Sequence, residues 1–167
     1  MTVPALLPEA DSDPAVALAC AAVRDYCGWH IAPSVTDTFV GRGAGWDILL
    51  PTMHLTSVGA ASDATGTPLV VDEWDEIGVV RRPGYRAWSS KMRSVSITYT
   101  HGYDACPDAL AGAIKSMAAR GVTSLGVSRS QVGQVSRQYA NGGADGALGP
   151  TDAELAIINR YRIPGVS

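Results

Sequence analysis

The residues of this sequence best suited to covalent catalysis or metal binding are its three cysteines and three histidines. The stretch DYCGWHIAP, residues 25–33, places Cys27 three positions before His30, and His101 lies five positions before Cys106. Because a cysteine thiolate with a histidine as its base attacks carbonyl groups, either pair would suit a hydrolase. A zinc site needs tighter patterns, such as CxxC or HExxH, and the sequence contains neither.

The surroundings of Cys27 favour a packed helix end over a catalytic thiol. Asp13 followed by Pro14 is a helix-start signal and Gly28 suits a left-handed cap, so they predict a helix over 14–27. A thiol on the last turn lies at the negative end of the helix dipole, which does not lower its pKa. His30 then either reaches a carbonyl at the helix end or faces solvent. One face of the helix is apolar: Val16, Ala19, Cys20, Val23 and Cys27.

Other local signatures of catalysis and ligand binding are missing from the sequence. It has neither GxSxG nor SxxK, which mark serine nucleophiles. The acidic run DEWDE at 72–76 lacks the spaced oxygen ligands and the glycine of a calcium loop. The glycine-rich GRGAGW at 41–46 lacks the lysine and following helix of a phosphate loop, and we interpret it as a tight hairpin turn. We therefore expect no enzyme, no metal and no cofactor.

Length and composition are those of a globular chain. Its 167 residues, 46% hydrophobic and 17% charged, suit a single domain over 1–167. A net charge of −3 argues against tight nucleic-acid binding. The odd number of cysteines argues against a disulfide framework, and no apolar run reaches the roughly 18 residues of a membrane span. Since no signal-peptide pattern is present, we expect a protein made in a reducing cytoplasm, with no membrane partner.

The segment 36–100 predicts a β-rich unit of about five short strands, separated by Gly, Pro, Asp and Ser. Its clearest strand is 94–100, whose alternation places Val95, Ile97 and Tyr99 on a buried face. Two of its loops are prominent, one at 60–68 and one at 83–93. The second loop combines aromatic and cationic residues, as protein interfaces often do, unless its tryptophan folds back onto the sheet. These residues are Tyr85, Arg86, Trp88, Lys91 and Arg93.

Helical patterns return after the β-rich unit. Thr151 with Glu154 forms a capping-box pattern that predicts a C-terminal helix over 151–163. Residues 122–150 fit either a short helix or a strand, followed by a glycine-rich loop. The element order predicts an α+β fold, a small helical bundle with the β-rich unit inserted between the first and second helices. The second helix is predicted over 107–120, from apolar residues at helical spacing: Leu110, Ala113, Ile114 and Met117.

Four stretches, taken in order, resemble a known protein family. They are a helix ending in DYCGWHIAP, the strand–proline–strand ILLPTMHLTSV, the strand–HGY–helix VSITYTHGYDACPDALAGAI, and the closing AIINRYRIP. Over roughly residues 14–164 the pattern resembles the head-to-tail connector proteins of long-tailed bacteriophages, also called adaptor or head-completion proteins, particularly the actinobacteriophage type. The junction at 95–114 is the strongest element of the resemblance.

The resemblance implies a structural role. Members of this family form a ring, usually of twelve copies, beneath the portal in the phage neck. The ring joins the portal to the next neck protein (the stopper) or to tail components, and surrounds the channel of the packaged DNA. The implied location is the virion neck, reached after assembly in the host cytoplasm. The family's C-terminal segment docks on the portal, and here it corresponds to Leu155, Ile158, Arg160, Tyr161, Arg162 and Ile163.

The charges are compatible with contacts between neighbours in a ring. Residues 1–36 are mainly acidic and residues 120–167 mainly basic, which suits head-to-tail contacts, although the counts alone favour scattered surface charge. A mildly acidic protein would not grip DNA that passes through its channel. We expect the 60–68 and 83–93 loops to touch neighbours or the adjoining neck ring, so that deleting either impairs ring stacking more than folding. The contact residues expected in the second loop are Tyr85, Arg86, Trp88 and Arg93.

Two alternatives remain compatible with the sequence. A stopper or tail-completion protein is another neck component, but such proteins tend to be more fully β-rich than a chain with three predicted helices. A cysteine hydrolase would use Cys27 or Cys106 with His30 or His101. Rapid thiol labelling near neutral pH would favour the hydrolase, because a core cysteine reacts slowly.

Overall fold

A computed structural model describes the backbone of residues 4–43, 45–126, 130–132, 135–137 and 149–164, and the side chains of these ranges except at 85, 122–126, 130–132 and 135–137. Its contacts divide the chain into two compact units. The helical unit comprises Met1–Cys27 and Cys106–Arg160, and the β unit comprises Gly28–Ala105 and Tyr161–Ser167. Helices together with antiparallel sheets confirm the predicted α+β class.

The helical unit opens with a 3-10 turn, Pro8–Asp11, followed by helix α1, Pro14–Cys27. A carboxylate oxygen of Asp13 accepts hydrogen bonds from the backbone N–H groups of the second and third helical residues, at 2.9 and 3.4 Å. Gly28, with a φ of 78°, follows the helix in the left-handed conformation. The buried face of α1 consists of Val16, Ala19, Cys20, Val23 and Cys27.

Helix α2, Asp108–Gly126, starts one residue later and ends six residues later than 107–120. Gly121 lies inside the helix and is buried, so glycine's weak helix propensity does not end α2 there. The helix packs against α1. Its described buried side chains are Leu110, Ala113, Ile114, Met117 and Ala118.

Helix α3, Asp152–Ile158, is shorter than the helix predicted over 151–163, because its last turn tightens into a 3-10 turn at Asn159–Tyr161. The capping box is present. Thr151 Oγ1 accepts a hydrogen bond from the backbone N–H of Glu154 at 3.3 Å, and Glu154 Oε2 accepts one from the N–H of Thr151 at 2.8 Å.

The segment whose structure the sequence left open, 122–150, is described only in part. The end of α2 covers its first residues. Two short strands, β8 (Ser130–Val132) and β9 (Val135–Arg137), pair antiparallel with each other. The remainder of 127–148 lies outside the described residues.

The described part of the β unit contains seven strands in two antiparallel sheets, where the sequence predicted a β-rich unit of about five strands. One sheet has four strands in the order β1-β7-β3-β4, and the other has three in the order β2-β6-β5. The strands are β1 Val35–Gly41, β2 Asp47–Leu49, β3 Leu55–Asp63, β4 Pro68–Leu69, β5 Glu73–Trp74, β6 Val79–Arg81 and β7 Val95–His101.

The prediction of a hairpin turn for GRGAGW at 41–46 is wrong. Strand β1 pairs with β7 and β2 pairs with β6, so this stretch connects the two sheets. Its glycine serves a close approach instead. A Cβ built on Gly43 would lie 1.9 Å from the Cβ of Trp88, and the Gly43 N–H donates to the carbonyl of Ser89 at 2.8 Å.

The core of the β unit takes residues from both sheets. Strand β7 alternates as predicted, with Val95, Ile97 and Tyr99 buried, and His101 continues the same face. The buried residues that cluster with β7 are Ile48, Leu50, Leu55, Ala61, Val80 and Trp88.

Within the described residues no helix combines the length and the apolar character that crossing a bilayer requires.

Candidate interaction surfaces

Two of the three cysteines, Cys20 and Cys27, are buried, and Cys106 is half-buried. Cys27 is fully buried, and its Sγ lies 3.8 Å from the carbonyl oxygen of Ile158. Burial raises the pKa of Cys20, and it raises the pKa of Cys106 to about 11. Since the thiolate is the nucleophile, raised pKa values make Cys20 and Cys106 weak nucleophiles at neutral pH.

The histidines belong to an aromatic cluster in the β unit, formed by Trp29, His30, His54, Tyr99, His101, Tyr103 and Tyr161. His30 Nε2 lies 2.6 Å from the Pro33 carbonyl oxygen. His54 stacks on Tyr103 with ring centroids 4.1 Å apart, and its Nδ1 lies 2.6 Å from Glu76 Oε1.

His101 is the most enclosed of these histidines, with 3% of its surface exposed. Its ring centroid lies 4.7 Å from that of Tyr99 and 6.4 Å from that of Trp29. Burial lowers the pKa of His101, as does the nearby His30. Across the described part of the chain, no three His, Cys, Asp or Glu side chains come together as metal ligands.

Most of the proposed portal-binding residues contact the protein itself. Ile158 and Ile163 are buried, while Leu155, Tyr161 and Arg162 are half-buried. In the helical unit, the Tyr26 hydroxyl donates to Asn159 Oδ1 at 2.7 Å. In the β unit, the indole N–H of Trp29 donates to the carbonyl of Tyr161 at 2.5 Å, and the Tyr161 ring meets that of Tyr103 edge-on. Arg160 is the exposed member of the set.

The 83–93 loop is built around Trp88. Of the two alternatives for this residue, the structure shows the buried one, with 4% of the surface exposed and the ring in the core of the β unit. The Arg82 guanidinium lies 5.7 Å from the centroid of its ring. The hydroxyl of Ser94 donates to the carbonyls of Ser89 and Lys91, at 3.2 and 2.7 Å, and so ties the end of the loop.

The 60–68 loop is largely the hairpin between β3 and β4. Asp63 Oδ1 accepts hydrogen bonds from the Thr65 hydroxyl at 2.6 Å and from the N–H groups of Thr65 and Thr67 at 2.8 and 3.0 Å. The hydroxyl bond from Thr65, followed by the backbone bonds, lowers the pKa of Asp63. The turn is therefore held by its own side chains.

Some of the acidic front and basic tail is neutralised inside the helical unit. Lys115 Nζ lies 2.7 Å from Glu9 Oε1. Arg120 makes a two-bond ion pair with Glu154, at 2.7 and 2.6 Å, and these bonds lower the pKa of Glu154 to about 2. These residues pair within the chain.

A sharper separation of acidic and basic residues lies in the middle of the chain, and it was not among the charge patterns considered above. Between Arg42 and Arg81 the sequence has six acidic residues and no Lys or Arg. Between Glu76 and Asp104 it has five cations and no Asp or Glu. A running count of charge would have found this pattern. The cations are Arg81, Arg82, Arg86, Lys91 and Arg93, and the acids include the run Asp72, Glu73, Asp75 and Glu76.

Solved structures share this fold. A chain in the neck of an empty GTA particle, computed with C6 symmetry, is 18% identical with a TM-score of 0.60, over 100% of this chain and 95% of that one. A chain in the neck of a native GTA particle, computed with C12 symmetry, is 18% identical with a TM-score of 0.61, over 100% and 94%. A chain in the virion of a native gene transfer agent (GTA) particle is 20% identical with a TM-score of 0.55, over 92% and 77%.

The fold is therefore one found in neck chains of GTA particles. No family model matches the sequence. No curated protein matches it either.

Proposed function

We propose that this chain is a structural neck protein of a tailed bacteriophage or a phage-derived particle. The observation that carries the proposal is the shared fold with the neck chain of the native GTA particle, which extends over 100% of this chain and 94% of that one. The resemblance of residues 14–164 to phage head-to-tail connectors supports the same role from sequence order. Fold and sequence thus point to one location, the neck of a virion.

In its finer form, the proposal is a homo-oligomeric ring of the actinobacteriophage type beneath the portal. The C12 and C6 symmetries used for the similar necks support a ring, and twelve copies is the number the connector resemblance implies. The ring would join the portal to the stopper or tail components, around the packaged DNA. A net charge of −3 suits a channel that does not hold DNA tightly.

The state of the thiols and histidines supports a structural role over a hydrolase. Cys20 and Cys106 have raised pKa values, and Cys27 is fully buried. His101 is buried with a lowered pKa, and His30 and His54 each contact an oxygen of their own unit. A thiol–imidazole catalyst needs an accessible thiolate.

Portal docking at the C-terminal segment is part of the proposal. Because Ile158 and Ile163 are buried, the accessible members of the set are Leu155 and Arg160 in the helical unit, and Tyr161 and Arg162 in the β unit. The exposed Arg160 suits an acidic or hydrogen-bond-accepting site on the portal.

Negative-stain microscopy of the purified chain, alone and mixed with the portal from the same genome, tests the proposal. We expect rings stacked coaxially on the portal. A chain that stays monomeric and leaves the portal bare would contradict the proposal, and a ring that forms but leaves the portal bare would favour the stopper alternative.

An Arg160→Glu variant tests the docking surface separately. We expect it to form rings but to bind the portal at least about tenfold more weakly, because a charge is reversed within the contact. Arg42→Glu makes the same charge change at an exposed residue outside the C-terminal segment and should bind normally. Equal portal binding by the two variants would remove Arg160 from the docking surface and leave the ring intact.

A further inference from the structure

The 86–93 loop is a fixed platform that carries unpaired positive charge. Trp88 anchors it in the core, and Ser94 ties its end to Ser89 and Lys91. Among the described residues, no side chain forms an ion pair with Arg86, Lys91 or Arg93, and all three are exposed. A fixed loop loses little conformational entropy when it binds, so its charges are suited to recognition.

The loop also presents apolar surface. Met92 stands between two of the cations and is 82% exposed. Flexible methionine side chains adapt to partner surfaces, and arginine with apolar groups is enriched at interfaces. The partner surface that fits is therefore acidic with an exposed apolar or aromatic group.

The β5 edge of the three-stranded sheet has this chemistry. Strand β5 pairs only with β6 in the described chain, so its other side is open. Trp74 on this strand is 43% exposed. Around it, Asp72, Glu73, Asp75 and Glu76 are all exposed. Asp72 has no ion-pair partner among the described residues, whereas Glu73 Oε2 lies 3.7 Å from Arg81 Nη1 of its own chain.

The 86–93 loop and strand β5 lie at opposite edges of the three-stranded sheet. The Trp88 N–H donates to the Gly45 carbonyl and the Gly43 N–H to the Ser89 carbonyl, both at 2.8 Å, so the loop lies beside the residues that lead into β2. Strand β6 separates β2 from β5. A head-to-tail ring contact joins two different surfaces of the chain, and a basic surface at one edge with an acidic surface at the other suits it.

The geometry points to a heterologous contact between copies of this chain, in which the 86–93 loop of one copy docks on the β5 edge of the next. Arg86, Lys91 and Arg93 meet Asp72 and Glu73 of the neighbour, and Met92 packs near the neighbour's Trp74. This inference rests on the proposed ring, and it identifies the two surfaces through which neighbouring copies would meet. Because its charges are exposed, it weakens as salt rises and the Debye length falls below about 8 Å.

Charge reversal on each side tests the contact. The loop variant is Arg86→Glu with Lys91→Glu and Arg93→Glu, and the edge variant is Asp72→Lys with Glu73→Lys. By sedimentation velocity at low salt, we expect each variant alone to self-associate at least about tenfold more weakly than the wild type, because both of its surfaces then carry one sign. Mixed in equal amounts, the two variants restore association, since every contact in an alternating ring is again between opposite charges.

A matched control and the remaining outcomes separate this contact from the ring itself. Asp25→Lys with Asp104→Lys makes the same charge change as the edge variant at exposed residues away from β5, and it should associate like the wild type. If the wild type forms rings and the loop and edge variants self-associate equally well, the proposed contact is wrong while the proposed ring stands. Weakened variants that the mixture does not rescue would also overturn it. A wild-type chain that is monomeric with and without the portal would overturn both proposals.

Discussion

Arg120 on α2 and Glu154 on α3 form a two-bond ion pair, with Nη1–Oε1 at 2.7 Å and Nη2–Oε2 at 2.6 Å. The Glu154 side chain is 10% exposed, and its Oε2 also accepts from the N–H of Thr151. The guanidinium, together with this cap, lowers the pKa of Glu154 to about 2. One carboxylate therefore joins two helices and caps one of them.

This pair predicts an acid-sensitive helical unit. In the unfolded chain Glu154 has its ordinary pKa of 4.5, so the unfolded state takes up a proton before the folded state does. The stabilisation from Glu154 is complete above pH 4.5 and is lost as the pH falls towards 2. Glu154→Gln should lower the free energy of unfolding by about 2 kcal/mol at pH 7, because a charged hydrogen-bonded partner is removed. Urea unfolding at pH 7 and pH 3 measures whether the difference narrows in acid.

Glu9→Gln is the matched control for that change. Its partner is Lys115, and both side chains are about half exposed, so water screens the pair. We expect a smaller loss of stability than for Glu154→Gln. Equal effects of the two substitutions would show that the Arg120 pair has no special weight.

Gly43→Ala should destabilise the β unit because the new methyl group has no room. Its Cβ would lie 1.9 Å from the Cβ of Trp88 and 3.1 Å from its Cα, so backbone as well as side chain must move. Overpacking of this kind costs about 1–3 kcal/mol. Thermal unfolding, with near-UV circular dichroism to follow the tryptophan environment, measures it.

Gly112→Ala is the control, since nothing lies within 4 Å of a Cβ at that position in α2. Alanine there should stabilise the helix by up to about 1 kcal/mol. If Gly43→Ala were equally harmless, the close approach to Trp88 would not constrain the loop.

Local signals account for the parts of the fold that the sequence predicted well. The span of α1 follows from Asp13, Pro14 and Gly28, and the buried face of β7 follows from strict alternation at Val95, Ile97 and Tyr99. In each case the determinant lies within a few residues of the element.

The pairing of strands could not be predicted in the same way. Strand β2 pairs with β6, which follows it by about thirty residues in the sequence. The stretch GRGAGW connects the two sheets, and its Gly43 contacts Trp88, which is distant in the sequence. The residues proposed to bind the portal show the same limit, since an apolar stripe does not reveal whether it packs internally or on a partner. Charge separation was visible in the sequence, but the opposite sheet edges that carry it were not.

His101→Phe should remove a pH dependence of stability. In the wild type, the two ring nitrogens of His101 are buried and have no hydrogen-bond partner in the described chain. Burial lowers the pKa of His101, and so does the nearby His30, while Asp37 acts in the opposite direction. The unfolded chain therefore binds a proton more readily below its ordinary pKa of 6.5, and stability falls as the pH drops through that value. We expect the wild type to lose stability between pH 7 and pH 5, and His101→Phe to lose less. Parallel slopes for the two proteins would show that His101 does not set this dependence.

Thiol reactivity distinguishes the structural protein from a cysteine hydrolase. Because the pKa of Cys106 is about 11 and Cys27 is fully buried, labelling of the native protein at pH 7.5 should be slow and should accelerate only on unfolding. Cys27→Ala should cost stability, since a buried side chain is shortened, while ring formation on the portal is retained. The same protein unfolded in urea gives the reference rate for free thiols. A native thiol that labels as fast as this reference, combined with loss of function in a folded Cys27→Ala variant, would favour the hydrolase.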